Sequence, residues 1–156
     1  MRKFTQLFSG QTLIEVVVAL GVAITIISAV VAVVLSALRG AEISRTQNQA
    51  SHLAQEGMEV VRQLRNTDYN GFQTKSGIYC LDKNSSTLRS SCSLTTPNVD
   101  TYVRSISILQ TSTCTSGTAS VSATVSWTDG TCLNSTYCHS VNLSTCLENL
   151  VPVVTP

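Results

Sequence analysis

The sequence predicts an α+β chain: one long N-terminal helix, over about residues 11–66, packed against a small antiparallel, disulfide-bonded β-sheet head. Three observations carry this. Val16 to Leu38 is a run of 23 residues without a charge. Beyond it, Ala41 to Arg65 keeps a helical repeat of apolar residues. After residue 71 the composition changes, and residues 72–156 hold 31 Ser or Thr, only 8 charged residues and all six cysteines.

The uncharged run defines the first element, residues 11–38. At about 1.5 Å per residue it reaches roughly 35 Å, enough to cross a bilayer core of about 30 Å. It is too long for the apolar core of a secretory signal peptide, which runs to about 7–15 residues, and Leu35-Ser36-Ala37 is a poor cut site. The buried helix of a soluble protein does not go this far without a charge. An ordinary single-pass anchor explains the length but not the residues that open it, Ser9-Gly10-Gln11-Thr12-Leu13-Ile14-Glu15. Glu15 is the anomaly. A carboxylate at the centre of a membrane helix costs about 2.5–3.5 kcal/mol, and once buried it needs a cationic mate. A chain cut after Gly10 would offer the new α-amino group of Gln11 as that mate to a neighbouring copy.

The stretch Gly-Gln-Thr-Leu-Ile-Glu-Val-Val-Val-Ala-Leu, from Gly10 to Leu20, resembles the N-terminus of type IV prepilins and type II secretion pseudopilins. The resemblance is tight from Ser9 to Leu38, about a fifth of the chain, and demands that glycine, glutamate and apolar span coincide in order. It implies that residues 1–10 are a leader removed by a prepilin peptidase after Gly10. It further implies N-methylation of Gln11 and an assembly role for Glu15 among other pilin or pseudopilin subunits, built on an inner-membrane assembly platform. There are two departures. The residue after the cut is usually an apolar aromatic and here is Gln11. Ala32 stands where many major pilins carry a helix-kinking proline, which leans toward a minor pilin or pseudopilin.

Arg2 and Lys3 hold the leader on the cytoplasmic side, while Arg39 and Arg45 follow the span. An even set of cysteines without metal spacing favours an oxidising compartment for the head. The expected location is therefore the cytoplasmic membrane, crossed once with the N-terminus inside, and afterwards an extracellular or periplasmic filament. The lipid bilayer is the partner before assembly. A formal charge of +1 leaves no nucleic-acid footprint, so no direct nucleic-acid binding is expected.

Residues 39–71 read as an amphipathic extension of the helix and a turn. Ile43, Ala50, Leu53, Ala54, Gly57, Val60, Val61 and Leu64 fall largely on one stripe. Glu42 with Arg45 and Glu59 with Arg62 are acid-before-base pairs that support a helix. Asn66-Thr67-Asp68-Tyr69-Asn70-Gly71 reads as the turn that ends it. Residues 72–156 form the exported head. Phe72 to Asp100 is a loop-dominated connector with a short strand near Gly77–Leu81. Tyr102 to Thr111 reads as a strand through Val103, Ile106, Ile108 and Leu109. Ala119 to Thr128 alternates strictly, with Ala119, Val121, Ala123, Val125 and Trp127 on one face and Ser or Thr on the other. Tyr137 to Leu147 gives a further strand through Val141, Leu143 and Leu147.

Six cysteines allow fifteen pairings, and no C-x-x-C spacing points to zinc or thioredoxin-type chemistry. The strand layout ranks the pairings. Cys114 and Cys132 lie at opposite ends of one strand, roughly 30 Å apart at about 3.4 Å per residue, against the roughly 7 Å a disulfide spans. The next strand runs back, bringing Cys146 toward Cys114 and leaving Cys132 near Cys138. Cys80–Cys92, Cys114–Cys146 and Cys132–Cys138 rank first.

The only histidines are His52, on the polar side of the helix, and His139, read as a surface residue. No H-E-x-x-H, Walker loop, G-x-S-x-G or paired catalytic carboxylates occur, so no enzyme, cofactor or metal is expected. Asp82-Lys83-Asn84-Ser85-Ser86 fits the acidic-extended form of a bacterial glycosylation acceptor; Asn134-Ser135-Thr136 and Asn142-Leu143-Ser144 fit only the short form. The rival function is a single-pass, membrane-tethered binding or adhesion module that is never assembled. A disulfide-active enzyme would require an accessible thiol of lowered pKa.

Overall fold

The computed structural model describes residues 11–110, 114, 118–129, 132 and 136–148. They belong to two units, one ending at Arg45 and one beginning at Thr46. A single continuous helix, α1 (Gln11–Thr67), contributes to both.

In the first unit the described side chains are all exposed, and α1 is long and apolar enough to cross a membrane. Two of its hydroxyls bond back to the helix backbone. Thr25 donates to the Val22 carbonyl at 2.7 Å and Ser28 to the Ile24 carbonyl at 2.8 Å. Such back-bonding satisfies hydroxyls without water.

The second unit is a helix-on-sheet head. Its four strands are β1 (Gly77–Cys80), β2 (Val103–Leu109), β3 (Thr118–Trp127) and β4 (His139–Glu148), antiparallel and in the order β1-β2-β3-β4. The register sets Ile106 opposite Ala123, and Ala123 opposite Leu143, so inward residues form rows across the sheet. All five residues of the β3 apolar face, Ala119, Val121, Ala123, Val125 and Trp127, are buried. They meet Ala50, Ala54, Met58 and Val61 of α1, residues that recur at the three- and four-residue spacing of one helix face.

Small residues set the distance between the layers. A methyl group at Gly57 would stand 2.9 Å from Ile106 Cδ1 and 3.8 Å from Ala123 Cβ. Gly57 is thus a point of close approach between helix and sheet, where even a methyl group requires the end of the Ile106 side chain to shift. The helical stripe differs from expectation at two positions: Met58 is buried within it, and Ile43 is exposed. Met58 lies one residue past Gly57 and shares its face with Ala54 and Val61.

The segment read as a plain turn after the helix contains a second helix, α2 (Tyr69–Gln73). Asp68 caps it, accepting the Gly71 N–H at 2.9 Å, and Phe72 buries its ring completely. β2 stops at Leu109, two residues short of the expected end. Gln110 turns its amide to the Phe72 and Lys75 carbonyls at 2.9 and 2.8 Å, and Thr111 lies outside the described residues.

Candidate functional site

The residues that the N-terminal motif singles out meet the structure unevenly. Gly10 lies outside the described residues. Gln11 opens α1, and Glu15 stands exposed one helical turn later. Around Glu15 the helix presents large apolar side chains to the outside: Leu13 is 70% and Ile14 62% exposed. A helix bare on every side needs lipid or other helices around it, because nothing in its own unit covers it.

In the head, three disulfides join Cys80 to Cys92, Cys114 to Cys146 and Cys132 to Cys138, with Cα separations of 5.0, 6.0 and 5.5 Å. These are the three pairs ranked first from the sequence, the last two of them by strand direction. Cys146 faces Ser120 in the register near the start of β3, which is the end of the strand that Cys114 precedes.

The head also holds a charged residue that the sequence reading passed over. Arg104, in the middle of the apolar layer, has no solvent exposure. Its Nε donates to the Leu81 carbonyl at 3.1 Å, Nη2 to the Asp82 carbonyl at 3.0 Å and Nη1 to the Leu53 carbonyl at 3.3 Å. Glu56 supplies the counter-charge, with Oε2 3.2 Å from Nη1. Asn98 fixes the backbone on either side, accepting from the Arg104 N–H at 2.7 Å and donating to the Arg104 carbonyl at 2.9 Å. One guanidinium therefore ties α1, β2 and the segment after β1 together. The signal for it was present: position 104 shares its strand face with Ile106 and Ile108, and period-2 logic places it inward.

The loop after β1 is held by two further pairs, Lys83 with Asp100 at 2.7 Å and Arg89 with Asp82 at 2.9 Å. The Arg89 hydrogen bonds hold the Asp82 carboxyl below the usual carboxylate range, and Asp82 in turn raises the Arg89 guanidinium.

At the far end of the sheet His139 stacks on Trp127, ring centroids 5.6 Å apart, and its Nε2 lies 3.0 Å from Asp129 Oδ2. His139 is therefore half-buried and partnered rather than a plain surface residue. Asp129, Cys138 and His139 bring three ligand-type atoms within 4.8 Å of one another. The donor set does not fit a metal, since the Cys138 sulfur is committed to Cys132 and offers no thiolate.

Val103 faces away from α1 and is still buried. Leu94 and Tyr137 come over that face and help form an open groove of about 380 Å³, with Thr95, Ser105, Thr124 and Ser126 among its walls. No described residue lining it carries a charge.

Comparison of this chain with protein-family models, with curated proteins and with solved structures returned no match.

Proposed function

We propose that this chain is a structural subunit of a type IV pilus-like or type II secretion filament, a minor pilin or pseudopilin assembled through its N-terminal helix. One observation carries the reading: in sequence Gly10 directly precedes a helix that opens Gln11-Thr12-Leu13-Ile14-Glu15, whose next 23 residues lack a charge, and which continues without a break to Thr67. The precursor sits in the cytoplasmic membrane with its N-terminus inside. Prepilin peptidase cuts after Gly10 and methylates Gln11. The helix then leaves the bilayer for a filament core of like helices. Apolar helix contacts replace lipid contacts, and the Glu15 carboxylate meets the α-amino group of a neighbouring Gln11. The chain is the object of processing chemistry and performs none of its own.

Mass spectrometry of the N-terminus tests this, on protein from cells with an active prepilin peptidase. The expected result is a mature chain beginning at methylated Gln11. An intact Met1 terminus, beside a second prepilin cut normally in the same cells, would overturn the reading. The rival, a tethered binding module, draws its support from the uncharged groove on the outer face of the sheet. That rival keeps the leader and stays in the membrane fraction.

A further inference from the structure

The Asn-x-Ser/Thr motifs sit in different surroundings. Asn142 lies inside β4, paired in register with Thr124. Its Nδ2 donates to Ser122 Oγ at 2.8 Å and to Thr124 Oγ1 at 2.7 Å. Both amide hydrogens are engaged, so reaching an enzyme would break two hydrogen bonds and part of the sheet. Asn134 lies outside the described residues.

Asn84 differs in backbone and bonding rather than in exposure, since both asparagines are exposed. It lies at a turn formed with Lys83, with φ 56°, a left-handed geometry that asparagine tolerates. Among the described residues its side chain makes no hydrogen bond. Ser86, two residues on, is exposed as well. From Asn84 to Ser86 the backbone has little to give up, the Ser85 N–H bond to the Asp82 carbonyl at 3.2 Å, whereas the residues before it are anchored: Lys83 N–H bonds the Asn98 carbonyl at 3.2 Å and the Asp82 carbonyl also accepts from Arg104 at 3.0 Å. The turn nevertheless keeps its place, held by the Cys80–Cys92 disulfide and by Lys83 on Asp100. Asp82, two residues before Asn84, completes the acidic-extended form of the motif.

We propose that Asn84 is an acceptor for an N-linked glycan, transferred from a polyprenyl-diphosphate-linked oligosaccharide by an oligosaccharyltransferase that reads the acid at Asp82. The amide nitrogen of Asn84 bonds to the anomeric carbon of the sugar. The bond from that carbon to the diphosphate oxygen breaks, the electron pair leaves with the polyprenyl diphosphate, and the amide gives up one proton. The enzyme must take Asp82 from Arg89. Both side chains are about half exposed, 45% and 49%, and an exposed pair of this kind is weak. The inference rests on the reading of the head as exported, since such donors serve exported chains.

The test is reconstitution in detergent, with the purified full chain, an acid-reading bacterial oligosaccharyltransferase and its lipid-linked oligosaccharide, read by glycopeptide mass spectrometry. The oxidised, folded chain is expected to gain a glycan at Asn84, and Asn84→Gln or Ser86→Ala to abolish it. Ser140→Asp gives Asn142 the same acidic extension; its modification should run at least about tenfold slower than that of Asn84 in the folded chain, and approach it once the chain is reduced and unfolded. An oxidised chain unmodified at Asn84, while the unfolded chain is modified there, would overturn the inference. Equal rates at Asn84 and Asn142 in folded Ser140→Asp would do the same. Neither readout needs assembly, so a glycan at Asn84 on a chain that an active prepilin peptidase leaves uncut after Gly10 would retire the filament reading alone.

Discussion

Arg104 allows a graded test of how the head is held. The guanidinium meets three carbonyls and one carboxylate, and each of those acceptors has somewhere else to turn. The Leu81 carbonyl also accepts from Asn98 at 3.2 Å, and the Asp82 carbonyl from the Ser85 N–H at 3.2 Å. The Leu53 carbonyl belongs to the ladder of α1, and Glu56 is 38% exposed, open to water. Replacing Arg104 with methionine keeps most of the side-chain volume and leaves no acceptor stranded. The expected loss is about 1–2 kcal/mol, the lost charge-assisted bonds being partly offset by the desolvation no longer required. Arg104→Ala adds a cavity in a close-packed layer and should cost about 3–4 kcal/mol. Glu56→Gln leaves a buried charge without its counter-ion, eased by the water that reaches position 56, and should cost about 1 kcal/mol. Thermal unfolding of the oxidised full chain in detergent measures the series. At about 4 °C per kcal/mol, Arg104→Met should lower Tm by less than about 8 °C and Arg104→Ala by more than about 12 °C. Equal losses for the two would refute the reasoning, because the charge and not the filled volume would then carry the site.

Other outcomes follow from the same contacts. Gly57→Leu forces a branched side chain against Ile106 and should destabilise the head by about 1–3 kcal/mol, whereas Gly57→Ala should be milder because better helix propensity offsets the squeeze; denaturant titration separates them. Asp82, its carboxyl lowered by Arg89, adds stability that is fully present above the ordinary carboxylate range and fades as pH falls through its lowered pKa; Asp82→Asn should flatten that acid limb in a pH series of Tm, and salt should shrink it. Removing Cys114–Cys146, which closes 32 residues, should cost about 3.7 kcal/mol, against about 2.2 kcal/mol for Cys132–Cys138, which closes 6; paired serine variants compared by unfolding midpoint check the order. Glu15→Gln should leave membrane insertion intact and reduce incorporation into filaments severalfold or more, measured by fractionating sheared filaments from membranes; unchanged incorporation would exclude the pairing with Gln11.

Much of the head was legible because β3 obeys a single rule. Every apolar residue of its alternation is buried, and antiparallel return strands follow from the turns around it. β2 was harder. Val103 and Leu109 lie on the opposite face from Ile106 and Ile108, so its apolar residues mix two faces. Val103 is buried only because the segments carrying Leu94 and Tyr137 cross above it, a tertiary event that no local pattern records. Arg104 escaped for a different reason. Its parity points inward while its charge argues for water, and the outcome depends on carbonyls contributed by residues 53, 81 and 82. α2 escaped because a five-residue helix has the same Asn, Asp and Gly composition as a turn. The Asn84 motif could be read in the sequence, but its distinction from Asn142 required the hydrogen bonds of the sheet.

The disulfides are nested: the Cys132–Cys138 link lies inside the loop closed by Cys114–Cys146. A chain oxidised in the order its cysteines emerge would join Cys80 to Cys92 correctly, then Cys114 to Cys132 and Cys138 to Cys146, both wrong. Only after β3 and β4 zip together does Cys146 come alongside Cys114. The hairpin must therefore form ahead of the covalent step, which takes seconds to hours, or a thiol–disulfide shuffling catalyst must correct the first products. The order of the cysteines makes maturation of this head a race between folding and oxidation, and over-rapid oxidation should trap a distinct, mispaired isomer.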